Sequence, residues 1–170
     1  TATLDGAACE REAAGLAAGE LAGRLADHDW AEPFYLACDL RPSLALDLLR
    51  GGAIPWPLRK LCTGGYYLAT GGMFTDWREG SRPFWPVLAK TFRPDAVWGV
   101  FGNTDAWIIA RSIARIANCP WVADVKDHWS TFIPAPLRAP LARRFVDAAH
   151  ITAFSRSHVE RLTPRFSQPK

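Results

Sequence analysis

The sequence predicts an α/β fold, a Rossmann-like three-layer α/β/α domain with a mainly parallel sheet, and three observations carry that expectation. A βαβ pattern opens the chain, and strand-like and helix-like stretches alternate through its C-terminal half. Between them, the run Pro120 to Trp129, PWVADVKDHW, ends an apolar strand in two carboxylates, a lysine, a histidine and a tryptophan. Loops at the carboxyl ends of strands are where open α/β sheets bind their ligands. Strand formation alone does not call for so many polar groups in one place.

Thr1 to Leu4 reads as the end of a first strand, with Asp5 and Gly6 as the turn into a helix. Ala7 to Asp27 is that helix: Ala14, Ala17, Ala18, Leu21 and Leu25 share one face, and Glu20 and Arg24 form an i,i+4 pair. Gly15, Gly19 and Gly23 recur every fourth residue, a small-residue stripe suited to close packing on a sheet. The Asp5-Gly6 turn lacks the glycine-rich phosphate-binding patterns, so Gly6 is open to two readings, ligand lining or turn geometry alone. Pro33 to Cys38 is the second strand, and Asp39 to Pro42 the turn after it.

The middle of the chain is less regular. Ser43 caps a short helix to Arg50, Gly51 and Gly52 break it, and Pro57 to Cys62 starts another. Trp56, Tyr66, Tyr67, Phe74, Trp77, Phe84 and Trp85 crowd this segment beside Arg59, Lys60 and Arg78, before a helix from Pro86 to Phe92. Two readings compete for these aromatics: core and loop packing, or an interfacial patch that touches anionic lipid or a lipid-linked acceptor.

From Arg93 onward the alternation is clear. Arg93 to Asp95 turn the chain, Ala96 to Phe101 is a buried strand, and Thr104 caps a helix in which Ala106, Ile109, Ala110, Ile113, Ile116 and Ala117 keep helical spacing. Asp105 sits at the positive end of that helix dipole. Trp121 to Asp124 is the next strand. A Pro-punctuated loop leads to a helix from Leu141 to Ala149, and His150 to Phe154 is a further strand. Ser155 or Ser157 caps the last helix, Ser157 forming an S-x-x-E box with Glu160, and Pro164 closes it.

Composition narrows the function classes. With 170 residues and 49% hydrophobic content the chain holds one folded domain rather than a disordered segment. A net charge of +3, with bases not interleaved among aromatics, argues against nucleic acid. Cys9, Cys38, Cys62 and Cys119 are widely spaced, which suits reduced, buried thiols in a cytoplasmic protein rather than disulfides or zinc. No apolar run reaches membrane-spanning length and no signal peptide stands at the start, although the missing initiator Met fits a trimmed N-terminus.

The succession RPDAVWGVFGN, helix, CPWVADVKDHW, helix, AAHITAFSRSHVERL resembles the N-terminal domain of family 4 retaining glycosyltransferases of GT-B architecture. Pro94, Asp95, Asp124, Asp127, Trp129, Ser155 and Glu160 match that pattern, over about Phe92 to Leu162. Lys126 stands where the family usually has Arg, and His128 where it often has Pro. The resemblance implies that residues 1–165 form the acceptor-side half of the enzyme, inactive alone. Residues 166–170 would then begin the linker to a second domain that carries the Glu-x7-Glu donor site and binds the nucleotide sugar. It implies no metal and no cofactor beyond that donor, a glycan, lipid-linked or small-molecule acceptor, and a cytoplasmic place at the inner face of the membrane.

On this reading Asp127 and His128 are the candidate catalytic residues, as base or proton shuttle. Gly6, Asn103, Thr104, Asp124, Lys126, Ser155 and Arg156 line the acceptor side from successive strand ends. Each also has a plainer reading: aspartates cap loops through backbone amides, Trp129 packs in a core, and Arg156 is solvated at a helix start. A metal site wants more oxygen ligands than this segment supplies. Two alternatives stand beside the transferase. One is a non-enzymatic Rossmann-like or flavodoxin-like domain that binds a ligand or partner, since fold does not fix function. The other is a hydrolase with an aspartate nucleophile, for which no companion motif is present. Oligomeric state is not legible.

Overall fold

The computed structural model describes residues 3–4, 23, 25, 35–36, 43–51, 54–126 and 133–166. It is a mixed α/β structure with two parallel sheets. β1 (Thr3–Leu4) pairs in parallel with β2 (Tyr35–Leu36). A parallel pair requires a crossover between its strands. Gly23 and Leu25, the two described residues of that crossover, are helical. The rest of the expected first helix and the Asp5-Gly6 turn lie outside the described residues.

The second sheet has the order β3 (Val97–Val100), β4 (Trp121–Val125), β5 (His150–Ala153), all parallel. Register sets Val100 beside Asp124 and Asp124 beside Thr152. Sequential strands are therefore neighbours, as the alternation predicts. Along β4, Trp121, Ala123 and Val125 enter the core, while on the other face Val122 is buried and Asp124 half-buried.

From residue 43 onward the described helices include α1 (Leu44–Arg50), α2 (Trp56–Thr70), α3 (Thr75–Ser81), α4 (Thr104–Ala117), α5 (Ala135–Arg143) and α6 (Arg156–Phe166). α2 runs straight through Gly64 and Gly65 and stops at Gly71, whose φ of 80° lies in the left-handed region that glycine adopts freely. From α3 the chain continues through a 3-10 turn (Arg82–Phe84), one α-turn (Trp85–Val87) and a π-helical turn (Leu88–Phe92), ending at Arg93 with φ 51°.

Several boundaries differ from the sequence expectation. Asn103, not Thr104, caps α4: its side chain accepts from the Asp105 amide at 2.6 Å. Asn offers its oxygen in extended backbone just as Thr does, so residue type alone did not choose between them. α5 begins at Ala135, inside the stretch expected as loop. Pro136 sits in the first turn, where the amide it lacks would have no partner, and Pro140 forfeits one further bond. α6 is capped by Ser155, whose hydroxyl accepts from the His158 amide at 3.3 Å, and Glu160 instead pairs with Arg156 at 3.1 Å. α6 also passes Pro164 and ends at Phe166, which is buried against Trp107. Phe166 thus belongs to the core rather than to a linker.

α4 is the central element, because both of its faces are buried. Trp107, Ala110 and Ala114 pack with Phe101, Trp121, Phe145 and Phe166 on the sheet side. Ile109 and Ile113 pack with Leu25, Trp77, Phe84, Trp85 and Leu88 on the other. Trp107 is fully buried, its ring 5.0 Å from Phe101 and 5.2 Å from Phe145, and its Nε1 donates to the Gly99 carbonyl at 3.0 Å. The Phe145 contact is edge-to-face, a geometry that adds about 0.5–1.5 kcal/mol beyond area burial. Tyr67, Trp77, Phe84 and Trp85 are buried in these two clusters, so for them the packing reading holds; Trp56 is exposed.

The start of α4 is held by a buried carboxylate. Asp105 Oδ2 accepts from the Met73 and Phe74 amides at 2.7 and 2.8 Å, and Oδ1 accepts from Arg78 at 3.2 Å. Thr104 donates its one hydroxyl proton to the Gly71 carbonyl, which leaves the Tyr67 phenol to donate to Thr104 at 2.7 Å. Gly72 is required by proximity, because a Cβ there would lie 2.0 Å from Asp105 Oδ2. Burial pushes the Asp105 carboxyl above its ordinary 3.8, and the Phe74 amide, Arg78 and the Met73 amide pull it only partly back. Burial likewise raises the Tyr67 phenol to about 12.

Asp105→Ala strands two amides and a guanidinium in the interior, and urea unfolding is expected to show a loss of about 3–5 kcal/mol. Gly72→Ala meets the same carboxylate and is expected to cost about 2–3 kcal/mol by the same measurement. A carboxyl that binds its proton more tightly folded than unfolded stabilises fully below pH 3.8, and this contribution is lost as pH rises through the folded pKa. Melting temperatures followed upward from that pH should fall in the parent protein, and Asp105→Asn should remove that component.

Candidate functional site

The carboxyl ends of β3, β4 and β5 lie side by side, and each is followed by residues that the sequence singles out. Asp124 Oδ1 accepts from the Thr152 hydroxyl at 2.6 Å, and both residues are half-buried. The two strands stand in register at this point, so the pair is fixed by the sheet itself. Val100 continues the same row on β3 and is 47% exposed, which leaves the row open to solvent at its β3 edge.

Lys126 follows β4 and is exposed. Asp127, His128 and Trp129 lie outside the described residues. Beyond β5, Ser155 is half-buried with its hydroxyl given to the helix cap, and Arg156 is exposed and paired with Glu160. Thr152 thus meets Asp124 across the β4–β5 pair, and Lys126 and the Ser155 to Arg156 corner follow the same two strand ends in the chain.

Asn103 and Thr104 behave differently. Asn103 is buried and spends its oxygen on the α4 cap, and Thr104 is fully buried between Tyr67 and Gly71. The Thr104 hydroxyl is thus spent inside the fold, and of Asn103 the side-chain oxygen is spent on the cap while the nitrogen is not. Gly6 lies outside the described residues.

Sequence reasoning missed two residues here. Thr152 was readable from alternation, since it shares a face with His150 and falls at the height of Asp124 once β4 and β5 pair in register. Asp105 read as a favourable first-turn acid, but its partners are 31 and 32 residues away, at a distance no local pattern reports.

The arrangement can accept hydrogen bonds from hydroxyl groups and donate to them: a carboxylate and a hydroxyl stand side by side, and exposed Lys126 lies two residues beyond the carboxylate. Among the described residues no group of three His, Cys, Asp or Glu is placed to hold a metal ion. A shallow depression lined by Lys90, Thr91, Phe92 and Arg93 lies just before the amino end of β3, away from these strand ends. The thiols of Cys62 and Cys119 are free; Cys62 is exposed, against the expectation of burial, and Cys119 is half-buried, its thiol raised by burial and by Asp95. No family model matches this chain, and no curated protein or solved structure matches it either.

Proposed function

We propose that the chain is the acceptor-side, Rossmann-like half of a retaining glycosyltransferase of GT-B architecture, which moves a sugar from a nucleotide-sugar donor to an acceptor hydroxyl. The observation that carries this reading is the Asp124–Thr152 pair at the carboxyl ends of two adjacent parallel strands, immediately before Lys126 and the Asp127-His128 segment. Sugar acceptors are recognised through their hydroxyls, and a carboxylate oriented by a neighbouring hydroxyl offers a fixed acceptor for one of them.

In this reading Asp124 and Thr152 position the acceptor, Lys126 and Arg156 meet negative charge on donor or acceptor, and Asp127 or His128 takes the proton of the attacking hydroxyl. Ser155 sets the third corner by fixing the start of α6. The donor is a substrate held by a second domain, and no cofactor or metal is invoked. The exposed free thiol of Cys62 suits a reducing, cytoplasmic compartment.

A second reading is favoured by the internal engagement of Asn103 and Thr104. With the Asn103 oxygen and the Thr104 hydroxyl spent on internal hydrogen bonds, the edge is also compatible with a domain that binds a ligand or partner without chemistry.

The complete protein should release nucleotide from one member of a nucleotide-sugar panel in the presence of acceptor. Asp127→Ala is expected to lower that turnover at least tenfold while leaving the melting temperature unchanged. Loss of both together would make the loop structural, and silence across the whole panel would favour the binding domain.

A further inference from the structure

We propose that the outer face of the β3-β4-β5 sheet is a carbohydrate platform, on which a sugar chain stacks one ring on Trp98 and gives hydroxyl protons to Asp124 and Thr152. Register defines that face as two rows. Trp98, Val122 and His150 form one, and Val100, Asp124 and Thr152 form the other. The positions between them belong to the core: Ala123 is fully buried, Ile151 packs against the same cluster, and a Cβ on Gly99 would lie 3.0 Å from the Trp107 side chain.

The outer face joins an open aromatic to a polar pair. Trp98 is 59% exposed, and its indole offers a flat apolar body of the kind that packs on the C–H face of a pyranose ring. Asp124 and Thr152 supply the other half of sugar recognition. Thr152 donates its one hydroxyl proton to Asp124 Oδ1 at 2.6 Å, so Oδ2 and the Thr152 oxygen both keep lone pairs to accept with. Two acceptors side by side fit two neighbouring hydroxyls of one ring. Strand spacing and rise set the Cα atoms of Trp98 and Asp124 about 8 Å apart, so the stacked ring and the bonded hydroxyls belong to successive units of a chain.

Size and charge select this occupant. The two rows span roughly 14 by 13 Å, well short of the about 800 Å² per partner that a stable protein pair buries. An anionic surface would meet the Asp124 carboxylate within the patch, whereas a neutral polyol brings the donors that this carboxylate lacks. The proposal rests on the reading of Asp124 and Thr152 as an acceptor site and names an oligosaccharide as that acceptor. It is measured as binding, so it and the transferase reading can fail separately.

Calorimetric titration of the full-length protein with cellohexaose, maltohexaose, xylohexaose and mannohexaose tests it, with each parent monosaccharide alongside. At least one hexasaccharide should bind, about tenfold or more tighter than its monosaccharide, because only a chain reaches both the indole and the polar pair. Trp98→Ala should weaken that binding about tenfold or more at an unchanged melting temperature, and Trp98→Phe should hold it within about threefold. Asp124→Asn, which removes the charge from the accepting group, should weaken it about tenfold. Binding without nucleotide release supports the platform and counts against the transferase reading alone. Silence across the hexasaccharides overturns the platform. So does a lowered melting temperature in Trp98→Ala, which assigns the indole to packing, or a dimer in solution that Trp98→Ala dissociates, which assigns the face to a second copy.

Discussion

The described structure hangs on one buried carboxylate. Asp105 joins three things that sequence separates: the first turn of α4, the backbone between α2 and α3, and the guanidinium of Arg78. An acid taken out of water is tolerable only when its lone pairs are filled, and here amides and an arginine fill them. Arg78 in turn donates to the Thr70 carbonyl, and Thr104 and Tyr67 close the other side through Gly71. The loop from Thr70 to Phe74 is therefore held by α4 as well as by its own turn, in which Gly71 is left-handed and the Thr70 hydroxyl bonds Gly72. Since α4 is buried on both faces, this one tie sets how the helical middle of the chain meets the sheet.

The sheet edge inherits its order from that arrangement. β3 leads directly into the Asn103 cap, so the position of α4 fixes the β3 corner. Trp107 reaches from α4 back to the Gly99 carbonyl and onward to Phe145 and Phe166, which places β3 relative to the C-terminal helices. Asp124 and Thr152 then need only strand register to meet. The polar edge is thus held by sheet and core together, while surface ion pairs such as Arg111 and Arg115 with Asp147 contribute little.

Much of this was legible in the sequence. The periodicity of Ala106 to Ala117 and the apolar runs at Val97, Trp121 and His150 yield the β3-α4-β4 and β5-α6 units with boundaries off by a residue or two. The middle segment was harder for a physical reason. The sequence reading starts a helix at Pro57 to Cys62, yet α2 continues through Gly64 and Gly65 because tertiary bonding of Tyr66 and Tyr67, which follow them, outweighs glycine's weak helix propensity. The aromatics of this segment divide between two environments that composition does not separate: Tyr67, Trp77, Phe84 and Trp85 are core, whereas Trp56 is exposed beside Leu58 and Leu61. Of the candidate site, Asp124 stands at an open strand end as expected, whereas Asn103 and Thr104 turned inward. A strand-end position says where a side chain starts, but competition from nearby backbone donors and acceptors decides where it points.

The place of α4 in the chain has a kinetic consequence. Its Asp105 ties reach back 27 to 32 residues, and Trp107 reaches forward to Phe145 and Phe166, so both groups of contacts close loops of moderate length around one central helix. Loop-closure entropy grows slowly with length, so the Asp105 and Phe145 contacts close early at modest cost, while Leu25 and Phe166 join from far along the chain. α4 is thereby suited to act as the folding nucleus onto which the helical segment before it and the strands after it condense independently.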